Sequence, residues 1–208
     1  MKIIKESCYK GTRIILGNEK SNYLQKCREY LIERGYTEIQ IPVIQLSEVF
    51  KNKVGEENNN MMYNFTDRGN RNLSLAPEYT AVIQKLSKTY FKTQTNVKVF
   101  YVSECFRGEK PQKGRYRQFT QLGVEIINPT SIPSLEITAM ELCILFSKNY
   151  KFSLNTDTKR GLDYCKNGNG FEISCEDLGS SKQICGGGIY DGGIGFAIGV
   201  DRLLELEI

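Results

Sequence analysis

Two strand-like runs joined by a short polar loop constrain the fold of this chain most strongly. The first run, VKVFYVSECFR, covers residues 97–107, and the second, YRQFTQLGVEIIN, covers residues 116–128. Both are rich in β-branched and aromatic residues, which are typical of strands. The connecting residues, GEKPQKGR, include the glycine and proline that mark turns. The stretch predicts a β-hairpin and therefore a sheet that is at least partly antiparallel.

Helical patterns alternate with further strand-like runs in the rest of the sequence. Apolar residues recur at helical spacing in NEKSNYLQKCREYLIERGY, and Gly35 follows as a C-terminal stop. Pro77 opens a second helical stretch, SIPSLEITAMELCILFSKNY predicts a third, and FAIGVDRLLEL predicts a last one. In the run TEIQIPVI, which predicts a strand, Pro42 must lie at an edge or a strand end. These patterns indicate an α+β fold, a mostly antiparallel sheet flanked by helices, in one domain over residues 1–208.

The composition excludes several classes of protein and of chemistry. Hydrophobic residues make up 40% and charged residues 25%, as in soluble globular proteins, and no apolar run is long enough to cross a bilayer. Seven cysteines without CxxC spacing, and no signal peptide, predict reduced thiols and a cytoplasmic location. Histidine is absent, which excludes histidine-based triads, histidine-containing zinc sites and imidazole bases.

The glycine-rich segment CGGGIYDGGIGFAIG, residues 185–199, suggests a nucleotide-binding loop at first sight. It matches neither the dinucleotide fingerprint GxGxxG nor the P-loop GxxxxGK[ST]. The alternative is a tight turn between a strand and a helix, where backbones approach closely. Spacing alone favours the tight turn.

The loop of the predicted hairpin carries an unusual number of cations. They are Arg107, Lys110, Lys113, Arg115 and Arg117. On an alternating strand Phe119, Gln121 and Glu125 point to one face, and Arg107 can join them from across the hairpin. Arginine is suited to bidentate contact with phosphate, and a phenylalanine ring offers a flat surface for a purine. The residues alone leave a second interpretation open, an exposed hairpin with ordinary surface charges.

The motifs together resemble the catalytic core of class II aminoacyl-tRNA synthetases, and specifically the histidyl-tRNA synthetase family. The three class motifs are similar to GYTEIQIPVIQLSEVF (35–50), FRGEKPQKGRYRQFTQLGVEI (106–126) and GFAIGVDRLL (195–204). Four further segments resemble the family's RGTRDIL, LRPEGT, RGLDYY and GGxYDG, namely KGTRIIL (10–16), LAPEYT (75–80), RGLDYC (160–165) and GGIYDG (187–192). The resemblance runs almost from one end of the chain to the other.

The resemblance implies an ATP site and a catalytic role for two arginines. Arg107 would bind the α-phosphate and Glu109 the adenine edge. Arg115 and Arg202 would bind the γ-phosphate of a bent ATP, and Phe119 would stack on the purine. Mg²⁺ is expected on the β- and γ-phosphates, held mainly by ATP oxygens and carboxylates, and no specific metal-ligating residue is implied. Arg107 and Arg160 are the two residues implied to be catalytic, because both would contact the α-phosphate.

The same resemblance implies an amino-acid site for histidine. Glu78, Thr80 and Gln121 would orient the α-amino group, Glu125 would accept a hydrogen bond from the imidazole, and Arg160 would bridge the substrate carboxylate and the α-phosphate. The remaining residues expected around the substrate are Tyr79, Tyr164, Cys165 and Tyr190. The tRNA acceptor stem would be the second substrate, and a homodimer without membrane contact is the expected assembly.

Several departures from the family pattern leave other functions open. The family carries a helical insertion that contacts tRNA between the glutamate of GVEI and the arginine of RGLDY, whereas one helix and a short loop are predicted here, and the chain ends after the third motif. Ala76 and Ile189 stand where the family has arginine, and Cys165 replaces a tyrosine. Two alternatives are a histidine-sensing regulatory subunit, like that of ATP phosphoribosyltransferase, and a paralogous amino-acid ligase with an acceptor other than tRNA.

Overall fold

A computed structural model describes residues 1–5, 8–51, 60–158, 170–178 and 182–207. The strands are β1 (Lys2–Ile4), β2 (Ile14–Leu16), β3 (Thr37–Glu38), β4 (Ile44–Leu46), β5 (Asn64–Thr66), β6 (Asn72–Leu75), β7 (Val97–Phe106), β8 (Gln118–Ile127), β9 (Phe152–Thr158), β10 (Gly170–Cys175), β11 (Gln183–Tyr190) and β12 (Gly193–Gly199). The α-helices are α1 (Glu19–Glu33), α2 (Thr80–Lys88), α3 (Glu136–Phe146) and α4 (Val200–Leu204). Single turns of 3-10 helix cover Ser47–Val49, Glu176–Leu178 and Glu205–Glu207.

The hairpin predicted from the sequence is present and lies inside the main sheet. Strands β7 and β8 pair antiparallel along their whole length, from Val97 opposite Ile127 to Phe106 opposite Gln118. The seven-stranded sheet has the order β3-β7-β8-β12-β11-β10-β9, in which β3 pairs parallel with β7 and the other neighbours are antiparallel. The predicted α+β fold with a mostly antiparallel sheet is confirmed.

The alternation of side chains along the central strands separates a packed face from a face that carries polar groups. Even-numbered residues of β8, such as Leu122 and Val124, pack into a core with α1 and α3. Odd-numbered residues of β7, such as Tyr101 and Cys105, pack instead toward α2 and the segment before it. Because Gln121 and Glu125 are also odd-numbered, both lie on this second face, as the sequence predicts.

Three sequence predictions differ from the observed elements. Pro77 was predicted to open the second helix, but α2 begins at Thr80, three residues later. The segment FAIG was predicted to be helical, but it forms the end of β12, because β8 and β11 hydrogen-bond to it from both sides. The glycine-rich segment was predicted to be a turn between a strand and a helix, whereas it forms two paired strands, and Gly192 at φ +91° lies in the short turn between them. A Cβ atom at Gly187 would lie 2.5 Å from the Cβ of Phe196, so the close approach itself is real.

The proline-containing run is divided between two sheets. Strand β3 forms an edge of the large sheet, and β4 forms an edge of a three-stranded sheet with the order β4-β6-β5. Pro42 lies between the two strands and belongs to neither of them, which agrees with the expectation that it lies at a strand end. No helix in the described part of the chain is long and apolar enough to span a membrane.

Candidate active site

An open cleft lies at the end of the β7–β8 hairpin, above β11 and β12. Its empty volume, open solvent included, is about 760 Å³. All five residues expected to bind ATP line it, together with one residue of the expected amino-acid site. They are Arg107, Glu109, Arg115, Phe119 and Arg202, with Gln121. The structure therefore brings these six residues together around one space.

Arg107 is held at the end of β7 by contacts on three sides. Its Nε donates a hydrogen bond to the carbonyl oxygen of Pro77 over 2.9 Å. Its guanidinium carbon lies 5.1 Å from the centre of the Phe119 ring, within the range of a cation–π contact. Glu109 Oε1 is 3.9 Å from its Nη1. The side chain is therefore oriented before any ligand arrives.

Arg202 is placed deep in the cleft by two backbone carbonyls. Its Nε donates to the carbonyl oxygen of Gly114 over 3.0 Å, and its Nη1 donates to that of Gln183 over 2.6 Å. Gly114 belongs to the hairpin loop and Gln183 begins β11, so one guanidinium joins the hairpin loop to β11, two strands away from β8. A guanidinium fixed in this way keeps its charge facing the cleft.

The cations of the cleft act on one another electrostatically. Burial lowers the pKa of Arg202, and Glu109 opposes this effect. Arg115 and Arg107 lower that pKa further by charge repulsion. Three arginines so close together create a positive potential that favours a polyanion of matching size.

We call the three arginines of the cleft, Arg107, Arg115 and Arg202, the clamp. A buried network centred on Arg13 lies next to the clamp, and the sequence did not indicate this role of Arg13. Arg13 Nη2 donates to Asp201 Oδ1 over 2.9 Å, and Arg13 Nη1 donates to Glu205 Oε1. The Arg13 guanidinium also lies 3.7 Å from the centre of the Tyr116 ring, and the Tyr116 hydroxyl donates to Glu205. Asp201 is adjacent in sequence to Arg202, so the network ties the amino-terminal segment to the helix that carries Arg202.

Charge pairing outweighs burial at the centre of that network. Burial alone lowers the pKa of Arg13, but its hydrogen bond to Asp201 and the charges around it raise that pKa above its ordinary value. The Arg13 side chain is 4% exposed, so the ion pairs are shielded from solvent. Breaking one partner of such a pair leaves an uncompensated buried charge.

The expected α-amino group ligands lie at the start of α2. Glu78 accepts hydrogen bonds from the backbone N–H groups of Thr80 over 2.6 Å and Ala81 over 3.1 Å. These bonds satisfy two of the free donors at the helix start and hold the carboxylate in place. Gln121 is buried, and its Oε1 accepts a hydrogen bond from Cys105 Sγ over 2.8 Å.

Glu125 and Tyr190 form a buried pair on the polar face of the sheet. The Tyr190 hydroxyl donates to Glu125 Oε2 over 2.7 Å. Burial raises the pKa of Glu125 to about 8, the hydrogen bond from Tyr190 acts in the opposite direction, and the charge of Glu78 raises it further. A Cβ atom at Gly195 would lie 1.6 Å from Glu125 Oε2, so only glycine fits beneath this carboxyl group.

Tyr79 and Tyr101 pack against each other on the same face of the sheet as Gln121 and Glu125. Tyr79, which the resemblance places at the substrate, is fully buried, and its hydroxyl donates to the backbone carbonyl of Glu104 over 2.8 Å. Its ring packs against Tyr101 with 5.1 Å between ring centres. Tyr101 was missed by the sequence analysis, although its odd position on β7 places it on the face that carries Gln121 and Glu125. Arg160, Tyr164 and Cys165 lie outside the described residues.

Comparison with known families identifies the chain. A family model described as histidyl-tRNA synthetase matches residues 18–154, which is more than half of the sequence. The chain belongs to the histidyl-tRNA synthetase family. The match includes the β7–β8 hairpin and therefore Arg107, Glu109, Arg115 and Phe119. The resemblance inferred from the sequence motifs is thereby confirmed.

Family members from distant organisms are similar to this chain. The histidine–tRNA ligase of Methanococcus vannielii is 38% identical over 151 residues, which cover 70% of this chain and 36% of that protein. The histidine–tRNA ligase of Clostridioides difficile strain 630 is 28% identical over 308 residues, which cover 94% of this chain and 73% of that protein. Because this chain has 208 residues, at least 100 of those 308 positions are internal residues of the relative without a counterpart here.

Solved structures of the histidyl-tRNA synthetase family share this fold. The apo histidyl-tRNA synthetase of S. aureus superimposes with a TM-score of 0.71 at 25% identity, over 97% of this chain and 70% of that chain. An ATP phosphoribosyltransferase regulatory subunit/histidyl-tRNA synthetase from Bacillus halodurans C superimposes with a TM-score of 0.72 at 16% identity, over 99% and 84%. The second likeness shows the fold alone, so the fold does not distinguish a ligase from a regulatory subunit.

Proposed function

We propose that this chain activates histidine with ATP to form histidyl-adenylate and pyrophosphate, and transfers the histidyl group to tRNA. The observation that carries the proposal is the meeting of Arg107, Arg115 and Arg202 with Phe119 in one cleft. A protein that only senses histidine has no need of a clamp for a transition state. Family membership supports the same reaction, and residues 1–208 are proposed to act as one catalytic domain.

The proposed reaction is an in-line displacement at the α-phosphorus. A carboxylate oxygen of histidine forms the new bond to phosphorus, and the bond to the bridging oxygen of pyrophosphate breaks. Negative charge grows on the α-phosphoryl oxygens and on the leaving group, so the guanidinium groups of Arg107, Arg115 and Arg202 stabilise the transition state more than the ground state. No proton is transferred in this step, and the absence of histidine side chains is therefore no obstacle.

Mg²⁺ is proposed to reach the site as a complex with ATP. The described residues contain no group of three or more histidine, cysteine, aspartate or glutamate side chains that could hold a metal ion. The charges of the carboxylates Glu109 and Glu172 act on Arg202, the proposed γ-phosphate ligand. Bound Mg²⁺ neutralises phosphate charge and is usually held by a few carboxylates and by the phosphates themselves.

The amino-acid site is proposed on the polar face beside the clamp. Glu78, Thr80 and Gln121 would orient the α-amino group, and Glu125 with Tyr190 would bind the imidazole. Support comes from the fixed carboxylate of Glu78 at the start of α2 and from the buried Glu125–Tyr190 hydrogen bond. Arg160, Tyr164 and Cys165 stay in the proposal as substrate contacts, and Tyr79 as a residue that supports the site from the core.

Formation of the adenylate tests the proposal. The protein, ATP·Mg²⁺ and labelled histidine are mixed without tRNA, and pyrophosphatase removes the product pyrophosphate. We expect one labelled adenylate per active site, retained with the protein on a desalting column. A protein that retains histidine without ATP and forms no adenylate acts as a sensor instead, and one that forms adenylate only with another amino acid is a paralogous ligase.

A homodimer is proposed from the exposed apolar row on the three-stranded sheet. Leu46, Leu73 and Phe65 are aligned across β4, β6 and β5, and Leu46 and Phe65 are exposed, as is Ile44. Apolar edge strands tend to be covered by another chain. Light scattering at micromolar concentration should give twice the chain mass of 23.7 kDa, and Phe65→Lys should shift it toward the monomer. A wild-type protein that stays at 23.7 kDa contradicts the dimer.

A cytoplasmic location is proposed from the thiols. The described cysteines, six in number, are all free, and most of them are buried. Reduced thiols persist in a cytosolic environment, whereas secreted proteins tend to pair them.

A further inference from the structure

The hydroxyl group of Tyr101 is an unusual feature of the polar face. Tyr101 is fully buried, and its hydroxyl finds no hydrogen-bond partner among the residues that the structure describes. Most buried polar side chains in folded proteins have at least one partner, because a buried unpaired group loses its bonds to water without replacement. A buried phenol without a partner therefore needs an explanation.

The Tyr101 ring lies over a glycine of the neighbouring strand. Tyr101 is paired in register with Gly123, and a Cβ atom at Gly123 would lie 2.0 Å from Tyr101 Cζ and 2.3 Å from its hydroxyl oxygen. The ring therefore lies across Gly123, on the same face as Glu125, which is two residues further along β8. Diagonal neighbours on paired strands are within reach of a long aromatic side chain.

The charges of two carboxyl groups act on the Tyr101 hydroxyl. Burial raises the pKa of Tyr101 well above its ordinary value, and the charge of Glu125 raises it further, more than that of Glu78 does. Glu125 is the proposed imidazole ligand and Glu78 a proposed ligand of the α-amino group. The strand register makes Tyr101 a diagonal neighbour of Glu125, so the phenol is near the proposed imidazole ligand.

We propose that the hydroxyl of Tyr101 makes a hydrogen bond to the imidazole of bound histidine, on the ring nitrogen that Glu125 does not contact, and so helps to select this amino acid. A neutral imidazole has one donor and one acceptor nitrogen, and a phenol can serve either of them. An additional polar contact of this kind would suit a chain in which Cys165 replaces the second tyrosine of the family motif. The inference rests on the proposed histidine site.

The decisive comparison is between Tyr101→Phe and Tyr79→Phe. The two rings are in contact and both are fully buried, but only the Tyr79 hydroxyl has a described partner, the carbonyl of Glu104. Tyr101→Phe removes a hydroxyl that has no such partner, so the denaturation midpoint should stay the same or rise. Tyr79→Phe leaves a buried carbonyl without its donor, so the midpoint should fall.

Binding measured by calorimetry separates this inference from the proposed reaction. We expect Tyr101→Phe to weaken histidine binding about tenfold, the scale of one neutral hydrogen bond, and to leave ATP binding unchanged. Methylation of a ring nitrogen removes the same contact from the ligand. Tyr101→Phe should therefore discriminate less than the wild type does against one of the two ring-methylated histidines.

The outcomes distinguish failure of the inference from failure of the proposed function. Unchanged histidine affinity in Tyr101→Phe overturns the inference, and a lower denaturation midpoint in that variant then shows that the hydroxyl is structural. If the wild type binds histidine without forming adenylate while Tyr101→Phe binds it more weakly, the inference stands and the enzymatic function fails. A wild type without affinity for histidine overturns both.

Discussion

Tyr190 donates a hydrogen bond to Glu125 across 2.7 Å, although the two residues are 65 positions apart in the chain. Both side chains are buried, and burial raises the pKa of Glu125 to about 8. The carboxyl group is thus largely protonated in the free protein at neutral pH. The free energy of unfolding and the affinity for histidine should therefore both depend on the charge state of this pair.

Glu125→Gln should remove one component of the pH dependence of stability. The folded-state pKa of Glu125 is raised from an ordinary value of 4.5, so the native state holds an extra proton between that pH and about 8. Its contribution is fully present below pH 4.5 and is lost as the pH rises through 8, with a slope of at most about 1.4 kcal/mol per pH unit. Denaturant titrations at several pH values should show a steeper fall for the wild type than for the variant.

The exposed Glu33 offers a matched control for that comparison. Glu33→Gln removes a carboxyl group of the same kind from the surface of α1 and should keep the pH profile of the wild type. Equal pH profiles for the wild type and Glu125→Gln would mean that the Glu125 carboxyl group is not protonated in the folded protein.

Arg107→Ala should slow histidine-dependent exchange of pyrophosphate into ATP by about 10²–10³, the scale of one lost preorganised donor. The guanidinium is held by Pro77 and Phe119 in the cleft, so its charge is already oriented in the free protein. Arg71→Ala is the matched control, because Arg71 pairs with Asp67 on the surface with its side chain 70% exposed. An exchange rate in Arg107→Ala equal to that of the control removes Arg107 from the catalytic group.

Arg13→Met should destabilise the fold and weaken ATP use together. It removes the nearest cation from the buried Asp201 and Glu205 and leaves Lys20 4.0 Å from Asp201. Loss of one partner of a buried ion pair typically costs about 3–5 kcal/mol. The helix that carries Arg202 also loses its anchor, so the KM for ATP should rise more than the KM for histidine. Both constants are read from the exchange assay, and stability from denaturant titration.

Arg28→Met provides the comparison for Arg13. The Arg28–Glu38 ion pair has an N–O distance of 3.0 Å, close to the 2.9 Å between Arg13 and Asp201, but the Arg28 side chain is 33% exposed. Exposed ion pairs contribute about 0–1 kcal/mol to the free energy of unfolding. If the two variants lose the same free energy of unfolding, the buried Arg13 ion pairs stabilise the fold no more than the partly exposed pair does. If the KM for ATP is unchanged in Arg13→Met, the Arg13 network does not support the clamp.

The sequence allowed the prediction of those site residues that stand in contiguous motifs. Arg107, Glu109, Arg115 and Phe119 lie within 13 residues of a single hairpin, and strand alternation placed Gln121 and Glu125 on the same face. Arg202 belongs to the third motif and was also identified. Local periodicity and motif spacing were sufficient for these residues.

Other features depend on contacts between distant parts of the chain. Arg13 pairs with Asp201 from 188 residues away, and nothing in the residues around Arg13 indicates a buried cation. In the sequence Tyr101 is an ordinary aromatic residue of a strand. Only the structure shows that its ring lies across Gly123. The segment FAIG looks like the start of a helix in the sequence. It is a strand because β8 and β11 pair with it on both sides, and these contacts are not visible in the local sequence.

Recognition of tRNA should depend on the acceptor stem. The family resemblance associates tRNA contact with an internal helical insertion, and at least 100 internal positions of the C. difficile relative have no counterpart here. A minihelix without an anticodon should therefore accept histidine about as well as full-length tRNA, with a strong dependence on salt because phosphate contacts dominate. Far better charging of the full-length tRNA would contradict recognition of the acceptor stem alone.

Amino-acid-dependent exchange of labelled pyrophosphate into ATP, run with each of the twenty amino acids in turn, tests the central claim most directly. The exchange occurs only when a protein forms an enzyme-bound adenylate reversibly, so it reports the chemistry of the clamp without requiring tRNA. The account predicts exchange with histidine well above that with every other amino acid, and its loss in Arg107→Ala. No exchange with histidine, or faster exchange with a different amino acid, would contradict the assignment of this chain as a histidine-activating enzyme.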